Sequence, residues 1–339
     1  MPDNEDRSLI SLPDGSLANT AVGAQRIVSA MVGEMLALTR QEQASIQSAK
    51  RKIGDYEFCD PDYRQISLWA VALSLAPEEV IKRLLDRKSM FHCGVRMASH
   101  RAGTDFKDGR ITGLHWDLQC LPLEHFEWIE GLSIDHLSFF VPYGSRRSIA
   151  AMPLHFPELF YLSCDRLGLT QLDLSHSAAL EELECGENLL TQLDLSFVPR
   201  LKVLEVGSNA LAELDLSFVP NLINLVCSEN MIRKLPLALV PQLQELWCSG
   251  NGVIDLDLAA VPHLKHLSCE ENQLTWLDLG CTPQLEWLEC EGNPIAELDV
   301  RSLENLHYLG YDSGQTRLIR RADQDFVCHD TNTLDSTRH

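Results

Sequence analysis

The chain has 339 residues, 45% of them apolar and 23% charged, an ordinary balance for one large folded domain or two. Its net charge of −21 disfavours DNA, RNA and anionic lipid as partners and favours a basic one. No run of eighteen apolar residues predicts a membrane span, and the acidic start Met1-Pro-Asp-Asn-Glu-Asp-Arg lacks the apolar core of a Sec signal.

Residues 1–17, rich in Asp, Asn, Ser and Pro, read as a flexible lead. Residues 18–105 read as a helical region. Ile27, Met31, Met35 and Leu38, with Val28, Val32 and Leu36, make a wide apolar stripe, and a polar continuation follows from Gln41 to Ile53. Asp60-Pro61 is a helix start, cap then proline, with Ile66, Trp69, Ala70 and Leu73 on its buried face. Pro77-Glu78-Glu79 opens a shorter helix carrying Val80, Ile81, Leu84 and Leu85. Two such helices have the outline of a DNA reader, but no basic recognition helix is present. A cap or docking module is the better reading.

Residues 106–158 carry two irregular repeats. Ile111-Thr-Gly-Leu114-His-Trp116 and Leu132-Ser-Ile134-Asp-His-Leu137-Ser-Phe139 place aromatics where later repeats place cysteine. Their spacing is uneven, as expected of terminal repeats that cover the first strand's edge. Gly144-Ser145-Arg146-Arg147-Ser148 reads as a loop between them and the regular array.

From 159 to 313 the chain keeps a step of 21 residues. Cys164, Cys185, Cys227, Cys248, Cys269 and Cys290 lie on one lattice, with Val206 and Tyr311 at its two other points. Asn188, Asn209, Asn230, Asn251, Asn272 and Asn293 lie on a second. Asp173, Asp194, Asp215, Asp257, Asp278 and Asp299 lie on a third, with Pro236 at the missing step. A fixed period of this size means a solenoid. Leu-x-Cys is then a short strand that points Leu183 and Cys185 inward and Glu182 and Glu184 outward. Each strand pairs in parallel with the next repeat's, and the inward residues stack into a core that no single repeat forms alone. The Asn turns the chain, its amide bonding backbone groups freed by the turn. Leu-Asp-Leu predicts a shorter extended segment on the far side, where 21 residues leave room only for extended and 3₁₀ structure. Residues 314–321 read as a cap, since Gly314 replaces the Asn, and 322–339 as a disordered tail.

These residues resemble the leucine-rich repeat family, with Leu180-Glu-Glu-Leu183-Glu-Cys185-Gly-Glu-Asn188-Leu-Leu190 as the recurring core. The likeness is to its bacterial branch with short repeats and a cysteine ladder, of the internalin J type. The implied fold class is α+β: a solenoid with a parallel β-sheet on the concave face, an extended and 3₁₀ convex side, and an N-terminal α-helical region. The family uses one scaffold to bind many unrelated proteins.

Cysteines in one inward column point the same way, which serves a disulfide dihedral poorly. They read as reduced thiols acting as small core hydrophobes, implying a reducing, cytoplasmic setting, with export by a route other than Sec still open. No P-loop, dinucleotide fingerprint or nucleophile elbow is present. Cys328-His329-Asp330 holds suggestive letters in a segment expected to be disordered. His263 and His266 lack a second ligand pair, and Cys281 lacks a base. The sequence predicts no enzyme, no metal and no cofactor.

The register lets the concave face be written out strand by strand. Acidic residues dominate it: its 32 outward positions hold twelve acids and one base, Arg166, and residues 161–312 as a whole hold 24 Asp and Glu against 7 Lys and Arg. The predicted partner-binding residues are Tyr161, Glu182, Glu184, Glu205, Glu245, Trp247, His266, Glu270, Trp287, Glu289, Glu291 and Tyr308. A polar face also serves solubility, but mixed charge would serve it without the repulsion of about 1 kcal/mol between like charges one strand apart in water. An acidic strip floored with aromatics is shaped to receive lysine and arginine side chains. The function read from sequence is a non-enzymatic protein–protein scaffold for a basic protein partner, without nucleic acid or membrane. The alternative is a delivered bacterial effector whose repeats select a host target while the helical region acts or docks.

Overall fold

The computed structural model describes residues 50–73, 75–85, 105–107, 110–117, 134–140 and 156–330. The lead, the apolar stripe from Ala18 to Leu38 and the last residues of the tail lie outside them. The chain divides into two units, residues 1–143 and 144–339.

In the first unit β1 (Lys50–Ile53) and β2 (Tyr56–Cys59) form an antiparallel hairpin closed by Gly54 and Asp55. Gly54 sits at φ +57°, in the left-handed region that such tight turns require. This corrects the expectation of helix throughout 18–105. Helix α1 (Asp60–Leu73) starts at the predicted cap, and α2 (Pro77–Leu85) at the predicted proline. Ile53, Phe58, Ile66, Trp69, Val80 and Ile81 are buried. Asp62, in the first turn of α1, is itself buried and accepts a hydrogen bond from the Ile111 N–H at 3.3 Å. Strand β3 (Asp105–Lys107) runs antiparallel to β4 (Arg110–Asp117). Strand β4 pairs in parallel with β5 (His136–Phe140), setting Trp116 opposite Phe139 as the two irregular repeats require.

The second unit is a parallel-strand solenoid built by the 21-residue step. Strands β6 (Tyr161–Ser163), β7 (Glu182–Glu184), β8 (Val203–Glu205), β9 (Asn224–Val226), β10 (Glu245–Trp247), β11 (His266–Ser268) and β12 (Trp287–Glu289) pair each with the next in register. Leu162, Leu183, Leu204, Leu225, Leu246, Leu267 and Leu288 are therefore direct neighbours, all wholly buried. Past β13 (Glu297–Asp299) the sheet continues with β14 (Tyr308–Tyr311). Strand β15 (Arg317–Ile319) pairs with β13 in a separate two-stranded sheet, reinforced by Arg317 Nη1 at 3.0 Å from Glu297. The sheet does not end at β14: β16 (Val327–Asp330) adds a parallel strand, placing Gly310 opposite His329. Residues 327–330 were expected in the disordered tail, and their order is a correction.

Leu-Asp-Leu is not a regular strand in most repeats. Three repeats form 3₁₀ turns there, at Leu237–Leu239, Leu258–Ala260 and Leu279–Cys281, and only Glu297–Asp299 pairs as a strand. The lattice aspartates make local turns instead. Asp173, Asp194, Asp215, Asp278 and Asp299 each accept from the backbone N–H two residues on, at 2.9–3.1 Å.

The lattice asparagines do more than turn the chain. Asn230 Oδ1 accepts from Leu211 N–H at 3.0 Å, while its Nδ2 donates to the carbonyls of Val206, Cys227 and Ser228 at 3.0–3.2 Å. Its four bonds tie its own repeat to the one before, and Asn188, Asn209, Asn251, Asn272 and Asn293 repeat the pattern. Where Gly314 replaces the Asn, Gln315 Nε2 and Thr316 Oγ1 bond the carbonyls of Asn293 and Ile295. The residue before each Asn is left-handed: Glu187, Ser208, Glu229, Gly250, Glu271 and Gly292 all have φ between 49° and 69°. Four of these are not glycine, a strain of roughly 1–2 kcal/mol apiece that the asparagine bonds offset.

Cys164, Cys185, Cys227, Cys248, Cys269 and Cys290 are buried free thiols. Burial pushes their pKa values up, that of Cys248 to about 12, so the reactive thiolate is suppressed. Cys328 is exposed and Cys281 partly so. A thiol reagent added to native protein is expected to spare these six of the eleven cysteines and to reach Cys328 before Cys281, with full labelling only in denaturant. Counting labels by intact mass checks this; fewer than six thiols spared in the native state contradicts it.

Candidate binding face

The sheet's solvent side carries the predicted residues in the predicted order. Two side chains per strand point outward, and in-register pairing lines them into two rows. The first holds Tyr161, Glu182, Val203, Asn224, Glu245, His266, Trp287 and Tyr308; the second runs from Ser163 through Glu184, Glu205, Val226, Trp247, Ser268 and Glu289 to Gly310. Glu182, Glu205, Glu245, Trp247, His266, Trp287, Glu289 and Tyr308 are half-buried, with part of each side chain on the surface. Glu270, just past β11, is likewise half-buried.

Three predicted contact residues are not presented to solvent. Tyr161 is 1% exposed, and its hydroxyl donates to Glu184 Oε2 at 2.9 Å. Glu184 and Glu291 are each 6% exposed. Alternation says which face a side chain points to, not how deeply its neighbours cover it.

The carboxylates fall into two clusters. On β6–β8 Asp165, Glu184 and Glu205 are all held above the usual carboxylate range, burial being the first cause. Asp165 rises to about 7 through burial and then Glu184, although the Gly186 N–H, 2.6 Å from its Oδ1, opposes the rise. Glu205 rises to about 7 through burial, then through Glu184, Glu245 and Glu182. The second cluster is Glu270, Glu289 and Glu291 on β11–β12. Burial raises Glu270, with Glu289 and Glu291 adding to it, and burial raises Glu291 against the neighbouring His329. These groups also push the Tyr308 hydroxyl up, after burial.

Between the clusters the face changes character. Glu245 accepts from Asn224 Nδ2 at 2.9 Å and lies 3.4 Å from His266 Nδ1. Trp247 and Trp287 flank His266, and Trp287 stacks on Tyr308 with ring centroids 3.8 Å apart and planes 10° from parallel. The register read from sequence places Asp165 and Asn224 on this face but leaves them out of the predicted contact set, and it does not place His329 there. Asp165 was legible as an acid in the turn beside the strand, but its depth was not.

A recess of about 420 Å³ lies at the leading edge of the strands, lined by Glu181, Arg200, Lys202, Asn221, Ile223, Gln242 and Gln244. Two of its charges pair with each other, Lys202 Nζ lying 2.8 Å from Glu181. Among the described residues no group of His, Cys, Asp and Glu is arranged to hold a metal ion, and no helix is long and apolar enough to cross a membrane.

No protein-family model and no curated protein sequence matches the chain. Solved structures do. The functional domain of InlJ from Listeria monocytogenes, which includes a cysteine ladder, is 26% identical over 64% of this chain and 54% of its own, with a TM-score of 0.48. YopM from Yersinia enterocolitica is 25% identical over 58% of this chain and 46% of its own, with a TM-score of 0.47. A leucine-rich repeat protein of Leptospira interrogans is 21% identical over 58% of this chain and 64% of its own, with a TM-score of 0.44. The chain thus spans less than two thirds of the length of each.

Proposed function

By its own repeat the chain is a leucine-rich repeat protein, and on that footing we propose that it is a non-enzymatic scaffold which binds a basic protein partner on the sheet face. The observation that carries this is the electrostatic tension of the face. Asp165 and Glu205 are forced toward neutrality by burial and by neighbouring carboxylates, at a cost in stability that a purely structural face has no reason to carry. A cationic partner relieves the tension, and the Trp287–Tyr308 stack gives it an aromatic surface. The same field disfavours nucleic acid and anionic membrane.

Affinity capture with the intact chain, beside a Trp247→Ala, Trp287→Ala variant, tests the reading. The captured partner is expected to be basic and to be lost from the variant. With that partner in hand, the field and the floor separate kinetically. Charge reversal at Glu182, Glu245 and Glu289 is expected to slow association and flatten its salt dependence. Trp287→Ala is expected to act through dissociation, by about 2 kcal/mol. Glu291 is left out of the reversal because it is buried and engaged by His329. Asp215→Asn and Asp257→Asn, in the repeat segments away from the sheet face, are expected to change neither rate. A partner that ignores every sheet-face change overturns the proposal.

A further inference from the structure

The recess at the leading edge of the strands breaks the charge pattern of the sheet beside it. Lys202 N–H donates to the Glu181 carbonyl, Ile223 N–H to that of Lys202, and Gln244 N–H to that of Ile223, each at 2.8 Å. These residues therefore follow one another along the edge at about the 4.8 Å step of the strands. Arg200, Asn221 and Gln242 stand two residues earlier in the same three repeats. The long Arg200 and Lys202 come from the repeat before the shorter Asn221 and Ile223, and Gln242 and Gln244 from the repeat after. The surface dips among them, leaving the space of about 420 Å³.

Its donors are open to solvent. Arg200, Lys202, Asn221 and Gln242 are exposed and Gln244 is half-buried. Lys202 shares its ammonium with Glu181, while among the described residues the Arg200 guanidinium has no ion pair or hydrogen bond. Two of the seven Lys and Arg of residues 161–312 thus line one recess against a single acid, and the carboxamides of Asn221, Gln242 and Gln244 add further donors. The acidic face begins at the very next residues, Glu182 after Glu181 and Glu245 after Gln244. A segment lying along the strands passes from recess to face within a residue or two, at about 3.3 Å each.

Resting on the reading of the sheet face as a partner surface, we propose that this recess takes a carboxylate side chain, Asp or Glu, of the same partner, placed in its chain beside the basic residues that cross the face. The Arg200 guanidinium holds the carboxylate with its fork of N–H groups, Lys202 adds a point charge, and the carboxamides donate to the remaining lone pairs. A free anion is a poor occupant, because the field of a chain of net charge −21 repels it. A carboxylate carried by a basic segment is drawn in with that segment. Because the recess lies at one end of the strands, it also fixes the direction in which the segment crosses the sheet.

Titration of the intact chain with three peptides tests this: acetyl-Glu-Gly-Lys-Gly-Lys-amide, its counterpart with glutamine in place of glutamate, and acetyl-Gly-Glu-Gly-amide. The first two are also made in reversed order, and one order of the glutamate peptide is expected to bind better than the other. The field alone favours the glutamine peptide, which carries one more net positive charge. The glutamate peptide in its better order is nevertheless expected to bind about threefold more tightly than its glutamine counterpart, and the lysine-free peptide far more weakly. Arg200→Gln with Lys202→Gln is expected to abolish that preference without weakening the glutamine peptide. Glu181→Gln, which releases Lys202, is expected to widen it. Glutamine peptides that bind as well as glutamate ones in both orders, a preference that survives the double change, or a lysine-free peptide that binds as tightly as the full one overturns the subsite. The face reading survives such a failure if Glu182→Gln with Glu245→Gln weakens both lysine peptides. If that change weakens neither, or if neither lysine peptide binds, both readings fall.

Discussion

Raising the pH from 4.5 to 7.5 is expected to destabilise the solenoid by about 3 kcal/mol. Asp165 and Glu205 both titrate near 7 in the folded chain, against ordinary values of 3.8 and 4.5. For a carboxyl whose folded pKa is raised, the folded state binds more protons than the unfolded one between the two values. Stability is therefore highest below that window and falls as pH climbs through it, from about 4 to about 7. Each unit of difference is worth about 1.4 kcal/mol; about two units of each shift fall between pH 4.5 and 7.5, and halving both for partial exposure and shared repulsion gives the figure above. Below the window the sign reverses. Hydrogen bonds from Ser196, Ser217 and Arg301 hold Asp194, Asp215 and Asp299 low, Asp299 at about 2, and protonating them forfeits those bonds. A stability maximum between about pH 4 and 5 follows. Urea midpoints across pH 4 to 8 check this, and Glu205→Gln is expected to flatten the alkaline slope. A midpoint that rises steadily to pH 7.5 contradicts it.

Asn230→Ala is expected to cost about 3 kcal/mol, at the upper end for a single buried polar deletion. The change strands the Leu211 N–H and removes a donor from three carbonyls in two repeats, with the residue only 8% exposed. In a unit of this size that is a fall in melting temperature of about 10 °C. Asn221→Ala, at an exposed position, is the control and is expected to change nothing measurable. Equal melting temperatures for the two variants contradict the ladder.

The regular solenoid was legible because every repeat is built alike: one ruler places Leu183 beside Leu204 and Cys185 beside Val206 without any knowledge of three-dimensional structure. What the ruler missed breaks the rule. Strand β16 follows β14 by nineteen residues, puts Cys328 where a leucine belongs, and leaves Val327 exposed at the sheet's edge. Among the described side chains of the hairpin only Ile53 and Phe58 are buried, too little apolar signal to stand out. Its one local mark is Gly54-Asp55 between Ile53 and Tyr56, a two-residue turn signal. The left-handed residue before each Asn was invisible because glutamate holds it at three of the six positions and glycine at only two. For the binding face, period two fixed the direction of Tyr161, Glu184 and Glu291 but not their depth. Depth depends on neighbours from other repeats, such as the missing side chain at Gly310 that lets Glu291 sink. Gly310 itself was legible as a gap in the row, although nothing in one strand announces what fills it.

The central claim is that the sheet face is under electrostatic tension which a cationic partner relieves. Thermal unfolding of the intact chain at pH 7.5 and low salt, with and without a lysine–arginine hexapeptide, tests it most directly. The account predicts that the peptide raises the melting temperature by several degrees, because a ligand that binds only the folded state stabilises it. It also predicts that the gain shrinks at pH 4.5, where Asp165 and Glu205 are protonated, and disappears when Glu182, Glu205 and Glu245 are changed to glutamine. A melting temperature unmoved by the peptide, or moved equally in the glutamine variant, would contradict it.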